Sequence, residues 1–442
     1  MKRTIGFVLG VCLSVTLLGV SSVSSAAPQV QGTKCVKAGI FRTVKTVKYQ
    51  CKKSAKGLRW VKASKAIAPV NATPNSKSTT TSTTIPLYSD PEITNVNYLL
   101  NLQECQLRDA TPMLPSIISS GFPRSGSLRS GLGQLEVLVI PVNFTDLAFG
   151  PTDTQRKEAA YATVNSFYSA MSYGKAAVKM TLAPSNAWVN TGGTVEQSGI
   201  INTTPQWDAS NFYRNVIEIY LSNNTISGYD VVEVTTAYST LFVGGGSANQ
   251  AGGGIYGTGK SFAGIQTLGS KTISWSIIAH ELGHAWLGFE DLYLFKGGFP
   301  LGNWDLMSSG TEFSGWSRFL AGWIEPNWVR CANPRTPTRH YLSALNAEKS
   351  DDKPRILILP FSSQSAIIAE LRTPTVTPKV WQTGIKSPTL VVYRVDTGIE
   401  HGNGPIVLIG TTDQIGGTIS TDGIKVTIKG LDNSGVVVDI GN

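Results

Sequence analysis

The spacing of apolar and polar positions divides the chain into stretches with different periodicities. An apolar run, Ile5–Val20, follows Lys2 and Arg3 and leads into a Ser/Ala-rich tract in which Ser24 and Ala26 sit like the small residues of a cleavage site. The run is shorter than the roughly 20 residues a membrane span needs, so 1–26 reads as a secretory signal peptide cut after Ala26. In the next stretch Thr, Val and Tyr alternate with Lys around Cys35 and Cys51 and close at Leu58-Arg59-Trp60-Val61, which predicts a small β module within 27–65. Residues 66–86 have no apolar periodicity and a Thr/Ser run, the pattern of a linker.

The body, 87–330, mixes two periods. Leu135–Phe144 is a strongly β-prone run, and 152–171 carries Ala159, Val164, Phe167, Tyr168 and Met171 at helical spacing before the turn Ser172-Tyr-Gly-Lys175. A second helix is expected over 208–221 and a strand over Tyr229–Ala237. Beyond Cys331 helical spacing disappears. Short runs rich in Val, Ile, Leu and Thr at 355–360, 366–371, 389–395, 405–409 and 435–440 predict a C-terminal β-sandwich over 331–442. The expected fold class is α+β.

Composition sharpens this. With 442 residues, 41% apolar and 15% charged, the chain is too apolar to be largely disordered, and its only long apolar run is N-terminal, which excludes a multi-span membrane protein. The net charge of +9 conceals a segregation: residues 31–65 hold eleven Lys/Arg and no acid, whereas 66–442 hold 25 basic against 29 acidic residues. A basic head on a mildly acidic body suits docking on an anionic cell-wall or membrane-surface polymer, or a solvated spacer, and not nucleic-acid binding. Without the signal peptide, Cys35, Cys51, Cys105 and Cys331 remain for an oxidising compartment. Three pairings exist. Sharing one small module favours 35–51, which leaves 105–331; Cys105 as a thiolate on a metal is the competing reading.

Two motifs compete for the chemistry. Gly254-Ile-Tyr-Gly-Thr-Gly259-Lys260-Ser261 satisfies the phosphate-loop pattern, but that loop works only between a strand and a helix N-terminus, and neither is expected here. His280-Glu281-Leu-Gly-His284 is an HExxH arrangement within a helix expected over Thr272–Trp286, with Ile278, Leu282 and Trp286 on the opposite face. On a helix, residues i and i+4 share a face, so both imidazoles can meet one zinc while Glu281 reaches the adjacent water. A third ligand must follow. Gly288 can end the helix and bring Glu290 or Asp291 within reach.

These motifs resemble the immune inhibitor A family of secreted zinc metallopeptidases, which are metzincin-like zincins. The similarity is carried in order by the strand Leu138–Asp146, the turn 172–175, the HExxH, glycine and Asp-Leu-Tyr of 280–293, Asn303-Trp-Asp-Leu-Met-Ser-Ser-Gly310, and the Trp-Ser and Gly-Trp pairs of 316–323. A weaker similarity continues at Glu370-Leu-Arg372 and Tyr393–Asp396. The resemblance implies a zincin-like catalytic domain with a twisted mixed sheet and an active-site helix, and it makes Met307 a floor beneath the metal. Here Gly288 and Asp291 stand four and seven residues after His284, one more than in typical members, yet the Gly-x-x-Asp spacing is intact. Asp291 is therefore the assigned third ligand and Glu290, at the ungapped position, the alternative.

The expectation is a secreted or cell-envelope endopeptidase acting on proteins or peptides, with one catalytic zinc on His280, His284 and Asp291 and Glu281 as general base. A calcium site is not legible. His340 and His401 read as surface or packing residues, and Trp304, Trp316 and Trp323 as core. The competing class is a catalytically weak envelope-binding protein that acts through its basic module, and an NTPase using Lys260 stands third.

Overall fold

The computed structural model describes residues 41–44, 47–54, 57–62, 98–109, 118–124, 129–198, 209–237, 245–249, 261–266, 275–347, 352–374 and 384–441. The expected signal peptide, the linker over 66–86 and Cys35 lie outside these residues. The chain forms two compact units, one over Val15–Pro86 and one containing Leu87–Asn442. In the first, β1 (Phe41–Val44), β2 (Val47–Ser54) and β3 (Gly57–Lys62) make an antiparallel meander with Cys51 opposite Trp60. Cys51 is buried and disulfide-bonded.

The second unit is mixed α+β, with several sheets and few helices. Its central strand β4 (Gly133–Asn143) is apolar on both faces, as a strand covered from both sides must be. Leu135, Val137 and Val139 pack with α1 (Pro151–Met171). That helix starts with proline in its first turn, where the missing N–H costs nothing, and with the Gly150 N–H donated to Asp153 Oδ2. It ends in the predicted turn, where Tyr173 and Gly174 have φ of 55° and 78°.

Around β4 lie β5 (Ala176–Leu182), β6 (Val189–Asn190) and, beyond α2 (Ala209–Leu221), β7 (Val231–Thr236), β8 (Gly245–Asn249) and β9 (Ser261–Gln266). The sheet order is β5-β4-β7-β9-β8 with β6 beside β4, and every pairing is parallel except β8 with β9. The other face of β4, Leu138, Ile140 and Val142, packs with Phe212, Val216 and Ile217 of α2. Both helices lie within a residue of their predicted bounds, because their buried residues recur at helical spacing.

After α3 (Trp275–Leu287) and α4 (Gly315–Leu320) come β10 (Val329–Cys331), β11 (Thr338–Ser343), β12 (Ile356–Pro360), β13 (Ser365–Arg372), β14 (Thr389–Asp396), β15 (Ile406–Thr412), β16 (Thr418–Thr421), β17 (Ile424–Leu431) and β18 (Gly435–Gly441). They form a five-stranded sheet, β10-β12-β13-β14-β15, and a four-stranded one, β11-β18-β17-β16. Leu357, Leu359, Ile367 and Val392 of the first meet Val426, Ile428, Val436 and Val438 of the second in one core.

The opposite face of the five-stranded sheet joins the core of the preceding half. Ile356, Ile358, Ile368 and Tyr393 pack in the same cluster as Ile278, Trp316 and Trp323, so 87–330 and 331–442 are continuous. Charge is buried in this seam. Arg372 donates through Nη1 to Glu312 Oε2 at 2.6 Å and through Nε to Glu370 Oε1 at 2.7 Å, while Arg318 lies 3.4 Å from Glu312. All four side chains are at most 1% exposed. Tyr393 and the Gly315 N–H both donate to Glu370 Oε2.

Cys105 is bonded to Cys331 across 226 residues of sequence, which removes Cys105 as a metal thiolate. The disulfide ties the segment before β4 to β10, beside the bridge between Leu99 and Ala332.

Removing one member of a buried charge cluster leaves its partners uncompensated, so Arg372→Met lowers unfolding free energy by about 3–5 kcal/mol, read as a fall in the urea midpoint. His340 is buried at 2% exposure, and burial, helped by the Arg330 charge, pushes its imidazole down to about 3. Unfolded His340 takes a proton as pH falls through about 6.5 while the folded one does not until about 3, so across that window stability declines with acidification by up to about 1.4 kcal/mol per pH unit. A His340→Phe chain shows a flatter pH profile in the same unfolding measurement.

Candidate metal centre

α3 is buried along most of its length, with Ile278, Leu282 and Trp286 at or below 1% exposure. Tyr168 of α1 donates to the Ala279 carbonyl at 2.7 Å and fixes the helix laterally. Its C-terminal carbonyls are capped by the Arg124 guanidinium, which donates to Leu287 O at 3.0 Å and Trp286 O at 3.1 Å. Gly288 then turns the chain with φ +65°, a left-handed conformation that favours glycine.

Past that turn the chain doubles back. Asp291 Oδ1 lies 3.0 Å from His280 Nε2 and 3.1 Å from His284 Nε2, and the two Nε2 atoms are 3.1 Å apart. Each ring is set by its other nitrogen: His280 Nδ1 faces the Leu306 carbonyl at 3.1 Å and His284 Nδ1 the Phe289 carbonyl at 2.6 Å. A carbonyl can only accept, so both Nδ1 atoms carry a proton, and in the neutral rings the Nε2 lone pairs are left facing the Asp291 oxygen. Three acceptor atoms converge on one point, an arrangement that needs a cation or added protons between them.

The spacing suits a small metal ion. Zinc bonds of about 2.0–2.1 Å in a tetrahedron separate the ligand atoms by roughly 3.3 Å, close to the distances found here. Side-chain exposures of 17% for His280 and 23% for Asp291 show that the trio is not wholly sealed from solvent. Together the three residues are a group able to hold a metal.

The electrostatics follow from this convergence. Burial works to lower both histidines, but the Asp291 carboxylate outweighs it and raises both above the usual range. Burial would raise Asp291, yet the two imidazoles hold its carboxyl well below the ordinary carboxylate range. Glu281 is 6% exposed and has no hydrogen bond among the described residues, and burial pushes its carboxyl up to about 8.

Met307 is fully buried at 0% exposure and packs against Gly283, between the two histidines in sequence. A Cβ on Gly283 would stand 2.8 Å from Met307 Sδ, so the glycine between the histidines makes room for the methionine. The loop is held by Asp305, whose carboxylate accepts from the Met307 N–H, the Ser314 N–H and Ser317 Oγ at 2.7–2.8 Å. The same loop supplies the Leu306 carbonyl to His280 and the Met307 carbonyl to the Leu292 N–H.

Glu290 has other partners. At 4% exposure its carboxylate meets His401 Nδ1 at 2.8 Å and the Gly402 N–H at 3.1 Å, and it is not one of the three converging groups. It docks the loop between β14 and β15 against the Gly288 turn, and His401, read from sequence as a surface or packing residue, is its partner. Arg124 and His401 lie in no motif, and Asp305 lies within the 303–310 segment without having been singled out there. Nothing local in the sequence marks the role of any of the three.

Among the other residues singled out, His340, Trp316 and Trp323 are buried core, and Trp304 packs half-buried against the same core. Residues 254–260 lie outside the described residues, and Ser261 opens strand β9 where a phosphate loop needs a helix. Among the described residues no helix is long and apolar enough to cross a membrane. No protein-family model matches the chain, and no curated protein matches it.

Loss of one ligand should be far more costly than loss of its neighbour. Asp291→Asn weakens zinc binding by about 100-fold or more, whereas Glu290→Gln retains the metal within about tenfold, both measured by chelator competition.

Proposed function

We propose that the chain is a zinc-dependent endopeptidase of the zincin type, related to the immune inhibitor A metallopeptidases and exported through its N-terminal segment. The observation that carries the reading is the convergence of His280 Nε2, His284 Nε2 and Asp291 Oδ1 within 3.1 Å of one another, beside a buried Glu281. The motif order from Leu138 to Trp323 and the position of Met307 under Gly283 support it.

His280, His284 and Asp291 would hold the zinc, which when bound polarises the scissile carbonyl and acidifies a water. Every other role belongs to the chain itself. The Leu306 and Phe289 carbonyls keep both imidazoles in the tautomer whose Nε2 can act as a ligand. Glu281 stands one residue after His280 on the same buried helix, and as a carboxylate it would take a proton from water and return it to the leaving amine. Gly288 and the Arg124 cap set where the helix stops, and so where Asp291 enters.

Glu281→Gln separates chemistry from structure. The variant binds one zinc per chain like the unaltered protein, while its kcat on a casein-type substrate falls by about 10²–10⁴-fold. Zinc bound without cleavage by the unaltered chain would overturn the peptidase reading and leave a metal-bearing scaffold.

A further inference from the structure

The loop that follows Asp291 carries aromatic side chains for which neither zinc binding nor proton transfer has a use. Tyr293 stands two residues after Asp291, and its ring lies nearly parallel to the His280 imidazole, at 15° with the centroids 6.5 Å apart. Phe299 meets Tyr293 edge-on, at 65° and 6.2 Å. Both residues are half-buried, so each keeps surface that a ligand can cover. Of the trio, His284 is the most covered, with a side-chain exposure of 9% against 17% for His280 and 23% for Asp291. A peptide reaching the trio from solvent therefore comes over His280 and Asp291, and Tyr293 is beside the first of these.

The loop is fixed at several points. The Leu292 N–H donates to the Met307 carbonyl at 2.8 Å and the Leu408 N–H to the Pro300 carbonyl at 2.9 Å, which ties down both ends. Between them the Leu294 N–H donates to the Gly298 carbonyl and the Gly297 N–H to the Leu294 carbonyl, closing a turn in which Gly297 and Gly298 have φ of +90° and +116°. The Phe295 N–H donates to the Gly402 carbonyl at 3.0 Å. Rings on a loop pinned in this way lose little freedom when they meet a ligand, the condition for selective binding.

The chemistry of the wall selects the ligand. Two rings set edge to face make an uncharged corner that favours an apolar side chain through burial and an aromatic one through ring packing. Residues of an extended peptide are spaced about 3.3 Å apart, so a ring this close to His280 reaches a residue next to the scissile bond and not one several positions away. Resting on the peptidase reading, we propose that Tyr293 and Phe299 form the wall of a pocket that selects a large apolar or aromatic side chain next to the scissile bond.

The test uses the purified full chain. Its cleavage sites in casein are read by mass spectrometry, and a major site is then copied into two quenched peptides with Phe or Ala beside the scissile bond. The unaltered chain is expected to prefer Phe by at least about tenfold in kcat/KM. Tyr293→Ala and Phe299→Ala each lower that ratio at least about threefold, Tyr293→Phe retains it, and all bind zinc like the unaltered chain. A ratio near one in the unaltered chain, a ratio that either alanine variant leaves unchanged, or Tyr293→Phe falling as far as Tyr293→Ala would each overturn the proposal while cleavage itself upholds the peptidase reading. No cleavage by the unaltered chain sinks that reading and the pocket with it. Where one alanine variant loses its zinc or its fold the other decides, and where both do the ratio of the unaltered chain decides.

Discussion

Arg372 lies between Glu312 and Glu370 in the seam where the five-stranded sheet meets the half that carries the His280–His284–Asp291 trio, with Arg318 on the far side of Glu312. Buried ion pairs add little net stability over well-packed apolar groups, since desolvation offsets attraction. What this one constrains is arrangement. Arg372 also donates to the Phe313 and Trp304 carbonyls, and Glu370 accepts from the Gly315 N–H at the start of α4. The loop beside the candidate trio therefore has one seating on the sheet in which these buried charges are satisfied. Any slip would leave a carboxylate or guanidinium unpaired in the core.

From that seating the geometry propagates by short steps. α4 presents the Ser314 N–H and Ser317 Oγ to Asp305, and Asp305 holds the Met307 N–H. The loop so fixed presents the Leu306 carbonyl to His280 and packs Met307 against Gly283. On the other side of α3, the Gly288 turn receives the Ser119 N–H on its carbonyl, and the Glu290–His401 pair anchors the next residue but one. Metal ligands tolerate little displacement, so if the trio holds an ion, side chains already oriented by backbone carbonyls and buried groups need no large reorganisation to receive it.

The sequence makes some of this plain and hides the rest for physical reasons. Helices α1 and α2 and strand β4 were legible because their burial periodicity is printed in the apolar pattern. HExxH was legible because two histidines and a glutamate on one turn leave few other uses. Glu370 and Arg372 were picked out only by resemblance, and their pairing with Glu312 and Arg318 was not legible, because a charged residue reads as a solvent-facing position until its partner is seen, and these partners lie up to 60 residues away. The pairing of Glu290 with His401 spans 111 residues and carries no local signature. The boundary drawn near Cys331 marks a real change of period, but the core runs across it, since period reports local geometry and not which surfaces meet.

The choice between Glu290 and Asp291 shows where spacing stops being informative and chain direction takes over. Both carboxylates lie within one residue of each other, and neither length nor charge separates them. What separates them is the left-handed turn at Gly288: the chain leaves α3, passes Phe289, whose carbonyl engages His284, and runs alongside the Met307 loop through the bond from Leu292. Asp291 meets the histidines, whereas Glu290 enters a buried position where an unpaired carboxylate would be costly. His401 and the Gly402 N–H are what make that position tolerable, so the C-terminal hairpin loop, far from the motif in sequence, helps decide which carboxylate faces the histidines.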